Sequence, residues 1–253
     1  MTSRAQRIYL TEQSAGSIIR NTFQLYFRHF WSFLLIVLST VAVPNVVAVH
    51  ALKNEDYGLY VGALAAAFLM GIPAGLAIVV LVSDVCRGNP VDTIGALRRG
   101  YAWSTPKLLV IYLVMTLAPF TIGLPLLLVR KWRSFMAWFM FAAIVRVIER
   151  ASVGESFRRS RHLGEGFYWR NLGLVMLTFL VATVPIYLVT GVLQMTVTIM
   201  KSANDNLGAD IFVGSAGVVG SPLYAIAPIL LYYEMRVRKE AFDHTLLTEE
   251  LAI

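Results

Sequence analysis

The sequence predicts an all-α polytopic membrane protein with six transmembrane helices, arranged as three hairpins that are each preceded by an amphipathic interfacial helix. Three observations predict it. Hydrophobic residues make up 57% of the chain and charged residues only 15%, a balance that ordinary soluble domains do not carry. Several apolar runs approach or exceed the roughly 20 residues that cross a bilayer. A short motif also recurs: Ser14-Ala-Gly16 with Arg20, Thr93-Ile-Gly95 with Arg99, and Ser152-Val-Gly154 with Arg158. In each copy a hydroxyl residue stands two before glycine, an arginine stands four after it, and an apolar segment follows. Residues 1–253 read as one integral membrane domain made of pseudo-repeats 14–88, 93–150 and 152–240.

The first unit opens at Ser14, a residue suited to cap a helix. Ile19, Phe23, Tyr26, Phe27 and Phe30 then recur at helical spacing, with Arg20, Asn21, Gln24 and Arg28 elsewhere on the wheel. Such a helix lies at lipid headgroups. The first span runs from about Phe30 to Val49 and contains Pro44; the second runs from about Leu59 to Ser83 and contains Pro73 between Gly71 and Gly75. The short polar link between them makes the two antiparallel.

The second unit opens at Thr93, with Ile94, Leu97 and Tyr101 on one face and Arg98 and Arg99 off it. Its third span begins near Lys107 and is broken by Pro119, Gly123 and Pro125, since proline removes a helical hydrogen bond. The fourth span ends near Ile148. The third unit carries Arg158, Arg159 and Arg161; its fifth span covers about Leu172 to Thr196 around Pro185, and the sixth ends in ILLYYEMR.

Six spans place both termini on one side. That side holds 17 of the lysines and arginines and the other holds 5, so the basic-loop rule puts both termini in the cytoplasm. The first residues contain no apolar core of signal-peptide length. Cys86 is the sole cysteine, which excludes an intrachain disulfide and a thiolate metal cluster. The four histidines lie in different segments without paired ligand spacing, so no metal or other cofactor is expected.

The stretch LLYYEMRVRKEAFD, residues 230–243, resembles the closing signature of a bacterial six-span membrane family. That family includes the membrane domain attached to some glycerophosphodiester phosphodiesterases, together with stand-alone members of unknown function. The opening IIRNTFQLYFRHFWSFLLI and the middle VGESFRRSRHLGEGFYWRNLGLVML are similar to it as well. Glu234 stands where the family pattern has Asp, and Ala241 where it has Gly. The resemblance implies a fold and a location in the bacterial cytoplasmic membrane. It implies no reaction, because no stretch is long and polar enough to be the phosphodiesterase domain.

Two sets of charged residues stand out. Asp84, Glu149 and Glu234 sit at hairpin ends, where an acid opposes the helix dipole and needs a cation. Each is expected to pair with an arginine four after the motif glycine: Arg20, Arg99 or Arg158. Arg20, Arg28, Arg98, Arg99, Arg159 and Arg161 are expected to contact anionic lipid or the interface, so the two roles compete for Arg20 and Arg99. Within the third unit this assigns Arg158 to a structural ion pair and Arg159 and Arg161 to lipid. Arg130, Lys131 and Arg133 beside Trp132 and Trp138 read as an interfacial belt on the opposite side. Gly71 and Gly75 read as a close-packing GxxxG pair.

The function expected from these features is a non-catalytic membrane protein, a structural or accessory subunit or an organiser of lipid. Its partners would be membrane lipids and other proteins of a membrane complex, and not nucleic acid. The alternative is a transporter of a small amphiphilic or lipid-like solute, suggested by prolines inside the spans. The scarcity of central acids, lysines and histidines weighs against coupling to an ion.

Overall fold

A computed structural model describes residues 12–103, 111, 140–200 and 218–240. Every regular element among them is helical. The third span, the start of the fourth and the basic belt at Arg130 to Arg133 lie outside the described residues.

Helix α1, Ala15–Arg28, begins where Ser14 Oγ accepts the Ser17 amide at 3.3 Å. Its inner face is Ile18, Asn21, Thr22, Leu25 and Tyr26, while Arg20, Gln24, Phe27 and Arg28 face outward. This is the 3.6-residue period of a helix with one side docked. The Tyr26 hydroxyl donates to the Val219 carbonyl at 2.8 Å. Its burial pushes the phenol pKa up to about 12, so the bond to the carbonyl persists at any ordinary pH.

Helix α2, Phe30–Val37, continues through a π-helical turn, Leu38–Ala42, into α3, Val43–Lys53. The proline predicted to break the first span, Pro44, lies just past that turn. Proline has no amide hydrogen to give the carbonyl one turn back, and the extra residue of the π-turn makes room for its ring. Thr40 Oγ1 donates to the Ile36 carbonyl at 2.7 Å and Asn45 Nδ2 to the Val41 carbonyl at 2.8 Å, so side chains satisfy backbone acceptors around the break.

Helix α4, Tyr57–Arg87, is capped at its start by Asp56, which accepts the Leu59 amide at 2.9 Å. It ends at Gly88 with φ 77°. That left-handed turn lets the Asn89 amide reach the Asp84 carbonyl at 2.9 Å, a glycine-dependent C-cap. The first half of α4 is largely exposed and the stretch from Ile72 to Asp84 is largely buried. Its buried half is the centre of the core.

Helix α5, Thr93–Trp103, folds back antiparallel along that buried half. Arg99 meets Asp84, Gly100 sits over Pro73 and Ala77, and Tyr101 reaches Met70. A Cβ on Gly100 would lie 2.6 Å from the Pro73 carbonyl oxygen, so glycine is what permits this approach. This helix, read from the sequence as interfacial, packs along α4. Helix α6, Ala142–Ile148, packs in the same way against α7, Val153–Gly164, where the Phe141 amide donates to Ser160 Oγ at 2.9 Å. Helix α8 covers Tyr168–Met200 and α9 covers Ser221–Glu240. Helix α9 packs against α1, α4, α7 and α8, and so joins the two halves of the chain together with the contacts of α6 on α4 and α8 on α1.

Among the described residues, two helical segments are long and apolar enough to cross a membrane: Phe30–Leu52 and Tyr57–Arg87. A third arises if α7 and the first part of α8, through Val184, are counted together, although they meet at 99°. Helix α8 exposes Phe179, Leu180, Val184 and Leu188, an apolar outer surface of the kind that hydrocarbon covers.

Candidate functional site

The chemistry of the described residues gathers at the helix ends, in three charged clusters. Counting from the capping residue explains how each forms. Ser14 and Ser152 cap α1 and α7, but α5 is capped by Asp92, whose Oδ1 accepts the Gly95 amide at 2.8 Å. The second copy of the sequence motif is therefore out of register by one. The seventh residue after the cap is Asn21, Arg99 or Arg159, and it turns toward the protein. The sixth is Arg20, Arg98 or Arg158, and it turns outward, a rotation of about 100°.

In the first cluster Arg99 Nη2 binds Asp84 Oδ2 at 2.7 Å, with Asp84 nearly buried and Arg99 partly exposed. The predicted acid at the end of the second span thus has its predicted partner. The cation answers the dipole of α4, whose last carbonyls leave the helix end negative.

In the second cluster Arg159 Nε lies 3.0 Å from Glu149 Oε2, and the same guanidinium holds Glu240. The Tyr232 hydroxyl donates to Glu149 Oε1 at 2.7 Å, and Arg236 Nε donates to Glu240 Oε2 at 3.2 Å. Burial disfavours the charge on Arg159, but hydrogen bonds to Glu240 and Glu149 outweigh it and hold the guanidinium pKa above its ordinary value. This exchanges the roles expected for neighbouring arginines. Arg159, expected at lipid, is a structural partner. Arg158, expected in a structural pair, is 81% exposed and lies 3.8 Å from the exposed Glu155. The register explains it: residue 158 is one step too early to face Glu149.

In the third cluster Glu234 is wholly buried and takes two parallel contacts from Arg170, each 3.0 Å. Arg238 Nε adds a third at 2.6 Å. Glu234 was expected to take a motif arginine, and takes neither Arg20 nor Arg158. Arg170 also donates to the Gln13 carbonyl at 2.9 Å, while Asn21 Nδ2 donates to Gln13 Oε1 at 2.9 Å. Asn21 holds the position that carries arginine in α5 and α7, and an amide there reaches the cluster through Gln13. Arg238 also pairs with Glu12 at 3.2 Å.

The end of α9 serves both the second and third clusters. Tyr232, Arg236 and Glu240 recur every four residues and form one stripe. Glu234 and Arg238 lie about 200° around the helix from it. Sequence reasoning found Glu234 and missed Arg170, Tyr232 and Glu240 as partners; the i,i+4 spacing in YYEMRVRKE was the available signal.

Of the other predicted contacts, Arg20, Arg28, Arg98 and Arg161 are exposed. Among the described residues nothing packs closely on Gly71, where a Cβ would meet nothing within 4 Å. Gly71 and Gly75 both line an apolar cavity of about 410 Å³ between α2, α4, α6 and α9, bordered also by Val41, Tyr224 and Pro228. The Tyr224 hydroxyl is bonded to Thr183 Oγ1 at 2.7 Å. Among the described residues no group of three or more His, Cys, Asp and Glu could hold a metal ion. No family model, curated protein or solved structure matches the chain.

Proposed function

We propose that the chain is a six-span protein of the bacterial cytoplasmic membrane with both termini in the cytoplasm. It acts without catalysis, as a structural or accessory subunit of a membrane complex or as an organiser of lipid. One observation carries this reading: the carboxylates at the helix ends are held by arginines that tie helices together. Glu234 is closed off by Arg170 and Arg238, and Glu149 by Arg159 and Tyr232. An acid or base for catalysis needs access to a substrate proton, and these carboxylates are engaged elsewhere. The likeness of residues 230–243 to the closing signature of the six-span family supports the same reading, and those residues include the ones that hold the clusters.

The test is extraction in a mild detergent followed by identification of the proteins and lipids that remain bound. A stoichiometric protein partner or a defined retained lipid supports the proposal. Hydrolysis of a glycerophosphodiester by the purified chain would overturn it. Reporter fusions at Asn54, Arg130 and Asn204 should all read outside the cytoplasm.

The apolar cavity beside Pro228 favours a second reading, carriage of a lipid-like solute. Flux of a labelled amphiphile into vesicles that hold the protein, absent from protein-free vesicles, would select it.

A further inference from the structure

We infer that Arg20, Arg98 and Arg158 form an outward-facing rim that docks the headgroups of anionic phospholipids. The inference rests on the reading of the chain as a membrane protein and replaces the wider arginine set expected from the sequence.

The cap-based register makes these three residues equivalent. Each is the sixth after its cap, each is exposed, and each sits one position before the residue that turns inward. Arg20 and Arg98 make no ion pair among the described residues, and Arg158 has only the long, exposed contact to Glu155. Arg98, which the sequence reading places off the apolar face of α5, has large exposed apolar neighbours on its own stripe. On α5, Ile94 and Tyr101 share the stripe of Arg98 at spacings of four and three, and Ile94 is 75% exposed. Two turns beyond Arg20, Phe27 is 68% exposed, and Trp31 in the next helix is 78% exposed; beyond α7, Trp169 is 63% exposed. Exposed aromatic and aliphatic groups beside a cation match a boundary between headgroups and hydrocarbon.

The depth agrees. Helix α4 has 31 residues, roughly 46 Å, which exceeds the roughly 30 Å hydrocarbon layer by about 16 Å. Its charged groups, Asp84 and Arg87, lie at the end along which α5 packs. The surplus therefore belongs at headgroup level, and it brings Arg98 there with the part of α4 along which α5 packs. Guanidinium groups bind phosphate through paired donors, and their flexible stems reach outward from an apolar surface.

Quenching of tryptophan fluorescence in reconstituted vesicles tests the rim. The vesicles contain brominated phosphatidylglycerol or brominated phosphatidylcholine, each at equal density in a phosphatidylcholine background. The wild-type protein should be quenched severalfold more effectively by the anionic lipid at low salt, and the difference should shrink as salt rises. The variant carrying R20Q, R98Q and R158Q should show near parity while keeping the wild-type melting temperature. The corresponding triple Arg→Lys variant should retain most of the preference and provides a second folded protein if the first is unstable. Equal quenching of the wild type by both lipids, or a preference that survives in the triple glutamine variant, would overturn the rim. Quenching by neither lipid would instead overturn the membrane reading itself.

Discussion

Arg170 grips Glu234 through both terminal nitrogens, each 3.0 Å from a different carboxylate oxygen, although the two residues are 64 apart in the chain. The carboxylate has no exposed surface. A buried charge without its partner is strongly destabilising, while replacing a whole pair by apolar groups need not be. Replacing Glu234 by Gln should therefore cost about 3–5 kcal/mol, read as a lower unfolding temperature in detergent. Glu234→Leu combined with Arg170→Met should recover a large part of it. If the double variant is as unstable as the single one, the pair is not the origin of the loss.

Neighbouring arginines on α7 should respond differently. Arg159→Gln strips partners from Glu149 and Glu240 and should cost about 1.5–3 kcal/mol, the range for hydrogen bonds to charged groups. Arg158→Gln removes an exposed contact at 3.8 Å and should change stability by less than about 0.5 kcal/mol. Thermal melts of the two variants side by side decide it, and equal losses would mean that the cap-based register is wrong.

Glycines on facing helices offer a comparison of space. Gly100→Ala drives a methyl to 2.6 Å from the Pro73 carbonyl oxygen and should cost about 1–3 kcal/mol by overpacking. Gly71→Ala meets open space and should gain about 0.5–1 kcal/mol from helix propensity. Opposite signs in melting temperature are the expected outcome.

His29 links α1 to α2. Burial, and then the neighbouring Arg28, lower its pKa below 6.5 in the folded protein. The unfolded chain therefore takes up the proton first as the medium is acidified. Above the unfolded pKa both states are neutral and the histidine adds no pH dependence. Stability should fall as pH drops from about 6.5 through the folded pKa, and then level off. Melting curves between neutral and mildly acidic pH should show this slope, and His29→Gln should reduce it. A slope unchanged in the variant would place the titration on other groups.

The sequence made the helices legible because caps and apolar periods are local. Ser14, Ser152 and the spacing of Phe23 and Phe27 mark their helices without reference to the rest of the chain. Asp84 with Arg99 was legible too, since a short turn joins their helices. The assignment within α7 failed because glycine is not the physical origin of the repeat. The cap is, and Asp92 shifts it by one in α5. For Tyr232 and Glu240 the i,i+4 spacing marks a stripe but not its partners: the partners of Arg170, Tyr232 and Glu240 lie 64, 83 and 81 residues away, and no local pattern encodes which distant element arrives. The π-turn at Leu38–Ala42 was seen only as a proline break, because the choice between kink and extra residue depends on what packs around it.

The end of α9 carries cluster residues on opposite faces of one helix, and these leave the ribosome after the partners they hold, Glu149, Arg159 and Arg170. Until Tyr232 to Glu240 emerge, Arg170 lacks its carboxylate and Arg159 holds only Glu149. Synthesis order thus becomes assembly order: the second and third clusters are complete only once α9 is present. A chain halted before it would display half-paired cations at its helix ends, a chemical mark that separates an unfinished molecule from a finished one.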